Sequence, residues 1–214
     1  MNVSWLPLLG TTVALLGLFA VSEFAGRHGL PAETTRRLVH ITGAGTTALL
    51  PLYLQLRDVV MLAVAFTLFL GWTRVCGSLR SVHAVARPTL GAIVFPIGLL
   101  LAALAVWPHP AAVAYAALML AFADPAASVV GQRFHSPSWS VAGGRKSAVG
   151  SVAFFAVALA LGTVFALAAG HGAILAVVPA AAVLTVVEAS LGYGLDNLFV
   201  PGIAGLLGEQ WLRL

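Results

Sequence analysis

Charge is what this chain has least of. Only 8% of its 214 residues are Asp, Glu, Lys or Arg, where a soluble domain carries roughly 25%. So few charges cannot build a water-facing surface. With 60% hydrophobic residues and a mean hydropathy of +1.01, the chain reads as an integral membrane protein. Cysteine is nearly absent too. Cys76 stands alone, which excludes an intrachain disulfide and a cysteine-based metal cluster. No stretch alternates apolar and polar residues over several positions, which argues against a β-barrel. Tandem repeats and low-complexity linkers are missing, so residues 1–214 are expected to form one domain. Lys and Arg are missing before the first apolar run, as is an Ala-x-Ala cleavage site. That run is therefore expected to be a retained span, not a signal peptide.

What is present is a series of apolar segments of near bilayer length, about 20 residues. They fall at Val3–Val21, Leu38–Leu56, Val59–Val75, Leu90–Trp107, Ala111–Val130, Ala148–Ala168 and Ala173–Leu191. A shorter one, Leu198–Leu212, is interrupted by Pro201. The expected fold is an all-α, polytopic transmembrane bundle of about seven spans plus a short broken C-terminal segment. Nine of the eleven cations fall in alternate loops: Arg27, Arg36, Arg37, Arg74, Arg80, Arg87, Arg133, Arg145 and Lys146. The positive-inside rule makes that face cytoplasmic. The net charge of +4 is thus accounted for by topology, and no nucleic-acid partner is expected. Trp5, Trp72, Trp107 and Trp211 fall near the expected bilayer edges, as an aromatic belt would. Glycine is plentiful, at 22 residues, which suits helices that pack closely in lipid.

Topology needs cations, but it does not need acids at the same level. Glu23, Glu33, Asp124, Glu188 and Asp196 all lie at the same ends of the spans as the arginines. Acid and base gathered at one membrane surface point to a site facing the cytoplasm. Asp124 precedes Pro125, a pair favoured at a helix start, so one helix is expected to end and another to begin there. Its amides would then favour an anion, with Asp124, Ala127, Ser128 and Gly131 on one face. The segment Ala142–Ser147 places Gly143 and Gly144 before Arg145, Lys146 and Ser147. Such a turn can aim amides and fixed positive charge at a phosphate, although its spacing is not that of a P-loop. Arg36, Arg37 and His40 open another span, with Arg36 and His40 on one helix face. Arginine at a helix start opposes the helix dipole and suits an anion or lipid headgroups. Glu188, Asp196 and Asn197 frame a third polar stretch, where Asp196 can cap the last segment. These acids, with Asp124, could hold a divalent cation beside substrate phosphates. His28, His83, His109, His135 and His171 show no ligand spacing. Interrupted spans at Asp124-Pro125 and Pro201-Gly202 leave a transporter as another reading.

These pieces together resemble the CTP-dependent polyprenol kinases: dolichol, phytol and farnesol kinases and their bacterial relatives. The matching stretches are RRLVHITG from Arg36, RPTLGAIVFPIG from Arg87, ADPAASVVGQRF from Ala123, GGRKSAVGS from Gly143 and VEASLGYGLDNLFVP from Val187. They keep the family's order across residues 36–201. The chain is shorter than eukaryotic dolichol kinase and resembles its catalytic half. One departure is the linker Phe134–Ala142, which lacks a second glycine directly after Phe134.

The resemblance implies a membrane enzyme that moves the γ-phosphate of CTP to the hydroxyl of a long-chain isoprenoid alcohol. Asp124, Gly131, Gly143, Gly144, Lys146, Ser147 and Gly150 would form the CTP site, with Arg145, Arg36, Arg37, His40 and Asn197 at its edges. Gly131, among them, would let the ligand approach the backbone. Asp124 and Asp196 would hold Mg²⁺, or one of them would accept the hydroxyl proton, with Glu188 as the third acid. The expected partners are the bilayer, the lipid alcohol and CTP, and a homo-oligomer stays open. The expected setting is the cytoplasmic membrane of a bacterium or archaeon. A cytidylyltransferase of the CDP-diacylglycerol synthase type would need similar groups, but its acidic C-terminal signature is missing here.

Overall fold

The computed structural model describes residues 5–85, 89–170 and 173–214. Arg87, His171 and the first residues of the first apolar segment lie outside them. The chain is a helical membrane bundle. It runs through α1 (Trp5–Arg27), α2 (Ala32–Leu49), α3 (Leu56–Val75), a short α4 (Arg80–His83), α5 (Gly91–Val106), α6 (Pro110–Leu118), α7 (Asp124–Arg133), α8 (Ala148–Ala169), α9 (Ile174–Ser190) and α10 (Asp196–Gln210). Among the described residues, four helical stretches are long and apolar enough to cross a bilayer: Trp5–Arg27, Leu56–Val75, Pro110–Arg133 and Ala148–Ala169. Gly91–Val106 and Ile174–Ser190 are shorter apolar helices.

Burial follows the logic of a lipid solvent. Leu6, Leu9, Val13 and Phe24 of α1 are exposed, as are Val164 and Leu167 of α8 and Leu175 and Val186 of α9. The inside is built from alanine, glycine and a few large side chains. Tyr115, Met119, Phe154, Leu184 and Val200 join α6, α8, α9 and α10 in one core. Phe19, Val39, Leu62, Phe66 and Leu70 join α1, α2 and α3 in a second. Small residues bring helix backbones close where hydrophobicity cannot drive association. A Cβ on Gly98 of α5 would run into the Asn197 carbonyl and lie 2.9 Å from the Leu198 Cα on α10.

Three local expectations are corrected. Asp124-Pro125 does not start a new helix. A π-helical segment, Met119–Ala123, carries α6 into α7, and Asp124 has helical φ and ψ of −65° and −48°. Proline has no N–H, and its ring crowds the carbonyl four residues back. The wider π turn absorbs both without breaking the rod. Pro201 likewise sits buried inside a continuous α10. The unwound backbone on which a transporter reading rested is thus not found at either place. Lastly, the polar stretch after α7 is not a plain loop. Strands β1 (Ser138–Val141) and β2 (Gly144–Ser147) form an antiparallel hairpin, with Val141 opposite Gly144. Its turn is Ala142-Gly143, and Gly143 takes the left-handed φ of 73° that glycine allows.

Gly98→Ala should force α5 and α10 apart. We expect a loss of about 1–3 kcal/mol, as for overpacked cores, read as a lower melting temperature of the detergent-solubilised protein.

Candidate active site

Three helices meet at one level and each brings an acid. Asp124 opens α7, Glu188 lies in the last turn of α9, and Asp196 is the first residue of α10. One carboxylate oxygen from each lies within 4.8 Å of the others. Glu188 is only 3% exposed, and its Oε2 is buried without a partner among the described residues. Asp196 accepts from the amide of Asn197 at 3.0 Å, so it both steadies the start of α10 and faces the cluster. Three oxygens of this type form a donor set for a hard cation such as Mg²⁺.

The hairpin supplies the counter-charge. Lys146 is the one lysine in the chain. Its Nζ donates to Glu188 Oε1 and, at 3.0 Å, to Asp196 Oδ2. Burial works against its charge, but Asp196, Glu188 and Asp124 outweigh that and hold its pKa above the ordinary lysine value. The strand period explains its aim. Lys146 pairs with Trp139, and residues paired across strands share a face. Trp139 Nε1 donates to the Ala189 carbonyl at 2.9 Å, which pins that face on the end of α9. Gly192 lets the turn approach, since a Cβ there would strike the Ala142 carbonyl. Arg145 points to the other face and donates to Ser138 Oγ at 2.7 Å.

Other expected residues divide. His40 Nε2–H donates to the Leu120 carbonyl at 2.9 Å and lies 3.7 Å from Asp124 Oδ2. The π segment makes this possible. The residue five on from Leu120 is Pro125, which has no N–H to give. Arg36 pairs with Glu33 at 3.3 Å and still borders the polar cavity, its buried Nε unpartnered among the described residues. Arg37 instead turns to α7, donating to Gln132 Oε1 at 2.6 Å and Ser128 Oγ at 3.2 Å. Glu33 and Gln132 thus meet the arginines that oppose the helix dipole. Asn197 Nδ2 donates to the Gly91 carbonyl at 3.1 Å, and its Oδ1 is buried without a partner among the described residues. Ser147 caps α8 by accepting from the Gly150 amide at 3.2 Å. Gly131 and Gly150 bring α7 against α8. A Cβ on Gly131 would lie 2.7 Å from Ser147 Oγ, and one on Gly150 would lie 2.9 Å from the Ala127 carbonyl.

Around this centre lies a polar cavity of about 1070 Å³, mouth included, lined by Asp124, Gly131, Arg145, Lys146, Ser147, Gly150, Glu188 and Asp196. A smaller one of about 420 Å³ adjoins it and adds Arg36, Gly143, Gly144 and Asn197. The arrangement combines amides and cations for phosphate with carboxylates for a metal or a proton. Such a set can run phosphoryl transfer, which asks mainly for positioning and charge neutralisation.

A curated protein aligns with this chain along nearly its whole length. A phytol kinase from Synechocystis sp. is 32% identical, over 94% of this chain and 91% of its own. This chain belongs to the polyprenol and phytol kinase family. Membership places it among membrane kinases that act on lipid alcohols. No protein-family model matches the chain, and no solved structure matches it. Hairpin and tryptophan anchor went unrecognised in the sequence, although Ser138-Trp139-Ser140-Val141 does alternate for four residues before a glycine pair.

Removing the lysine tests the centre. Lys146→Met leaves Glu188 buried without its counter-charge, a change that typically costs about 3–5 kcal/mol. Lys146 itself, with its pKa raised above 10.5, stays charged from pH 5 to 8 and loses its contribution only above that value. The variant's carboxylates can take up protons as the pH falls. The melting-temperature gap between wild type and variant should therefore be widest near pH 8 and narrower near pH 5.

Proposed function

We propose that this family member transfers the γ-phosphoryl group of CTP to the hydroxyl of a long-chain isoprenoid alcohol of the phytol or polyprenol type. The observation that carries the reading is the meeting of Asp124, Glu188 and Asp196 around Lys146 beside the polar cavity. The likeness of residues 123–134 and 143–151 to the CTP-binding part of dolichol kinase supports CTP as donor. The side of the membrane that carries nine of eleven cations supports a site open to the cytoplasm.

In this mechanism the nucleotide enters the polar cavity, where Lys146, Arg145 and the hairpin turn receive its phosphates. Asp196 and Glu188 would hold Mg²⁺, which would neutralise charge on the phosphate oxygens. The unpartnered Glu188 Oε2 and the all-oxygen donor set fit that ion. The alcohol oxygen forms a bond to the γ-phosphorus while the bond from phosphorus to the β–γ bridging oxygen breaks, and CDP leaves. The hydroxyl proton passes to Asp124. Of the three acids, Asp124 makes no hydrogen bond to Lys146, and it borders both parts of the polar cavity. His40, held on the Leu120 carbonyl, fixes the side of Asp124 from which the hydroxyl comes.

Purified protein given CTP labelled in the γ-phosphate should leave the label on the lipid. Label recovered in pyrophosphate instead would indicate cytidylyl transfer and overturn the reading. Asp124→Asn keeps the size of the side chain and removes its charge. We expect it to lose phosphoryl transfer at least a hundredfold, in line with general-base loss, with an unchanged melting temperature. Near-normal transfer by this variant would remove Asp124 from the mechanism.

A further inference from the structure

A second cavity opens on the other side of Arg36 and Asn197, and its walls are of a different kind. It runs between α1, α2, α3 and α5 and holds about 850 Å³, mouth included. Its α2 wall is one helix face: Arg36, Val39, His40, Gly43 and Thr47, continued by Leu50. Across from it stand apolar side chains such as Leu62, Phe66 and Leu99. Its charged side chain, Arg36, stands at one end. There Arg36 and Asn197 also line the smaller polar cavity that contains Asp124 and Asp196. Asn197 is 4% exposed. Its amide is oriented by donation to the Gly91 carbonyl, so the unpartnered Oδ1 can only accept.

We propose that this cavity holds the hydrocarbon chain of the acceptor alcohol, with its hydroxyl donating to Asn197 Oδ1 beside His40 before it turns to Asp124 for transfer, and that cavity depth selects chain length. The inference rests on the kinase reading above. Arg36 and Leu50 are fourteen residues apart, about 20 Å along a helix at 1.5 Å per residue. Carbon–carbon bonds of about 1.5 Å advance an extended chain by about 1.3 Å each. The depth therefore takes about sixteen bonds, or four isoprene units. By the same rise, Gly43 lies about 10 Å from Arg36 and Thr47 about 16 Å, marking roughly two and three units. A Cβ on Gly43 would meet only the Phe95 ring at 3.5 Å, so larger side chains there grow into the channel.

The test is a ruler. Kinase assays with isoprenoid alcohols of two, three and four units should give wild-type kcat/KM rising to four. Gly43→Leu should lower the four-unit to two-unit ratio roughly ten- to a hundredfold, the scale of methylene discrimination in apolar pockets. Thr47→Leu should penalise only the four-unit alcohol. The KM for the nucleotide should not follow chain length in either variant. Ratios unchanged in both variants would overturn the proposal. A second readout separates it from the kinase reading. A four-unit alcohol carrying a diazirine at its tail should crosslink the wild-type protein near Leu50 or Val59 even without any nucleotide. Crosslinks confined to the outer faces of α8 and α9 would place the chain elsewhere and sink the inference, whether or not phosphate is transferred.

Discussion

One ammonium group among three carboxylates sets the terms for the cation-rich end of this bundle. Lys146 reaches Glu188 and Asp196 from a hairpin, with Asp124 beside them. Three acids at one point would repel each other, and burial would make that repulsion worse. A mobile loop could not hold a lysine there reliably. The hairpin can, because Trp139 ties its Lys146 face to the Ala189 carbonyl and Gly192 lets its turn close in. Helix ends, hairpin and glycines are thus arranged around one electrostatic requirement. That requirement also suits catalysis, since a lysine held by carboxylates is charged and aimed before a phosphate arrives.

The acids sit on elements whose mutual spacing is set by small residues. Gly98 allows α10 to lie on α5, which fixes Asp196 and Asn197. Gly131 and Gly150 bring α7 to α8, which fixes Asp124 relative to the start of β2's following helix. Several glycines that look like a nucleotide cradle in the sequence are therefore accounted for by packing, even though they border the polar cavity. Both roles are compatible, because close helix packing is what makes a rigid wall.

Much of the bundle was legible in composition and in the spacing of apolar runs. Low charge and long hydrophobic stretches leave helices as the economical way to satisfy the backbone in lipid. The gathering of Asp124, Glu188 and Asp196 was legible as a shared level at the ends of spans. The details were not, for physical reasons. Asp-Pro is a helix-start signal in water-exposed sequence, but here tertiary packing keeps the rod intact and a π segment absorbs the proline. The hairpin has strands of four residues each, too short for a periodic signal to rise above a polar loop. Arg36 and Arg37 are adjacent in sequence yet face a cavity and α7 respectively, because neighbours on a helix stand about 100° apart.

The π segment Met119–Ala123 is in effect one inserted residue, and this has a bearing on how the family's sequences must vary. An inserted residue in a helix shifts everything after it by about 100° of rotation and 1.5 Å of rise. Here one wide turn absorbs the insertion, so the residues on either side keep the faces they would have in an unbroken α-helix. The stretch from Ala116 to Asp124 can therefore differ by one residue in length without turning Asp124 away from the other two acids. Apolar residues of similar size can be exchanged along it at small cost. A single-residue deletion would leave a regular helix with the same carboxylate direction and no widened turn. The local irregularity keeps in phase the half of the rod that packs in the bundle core and the half that borders the polar cavity.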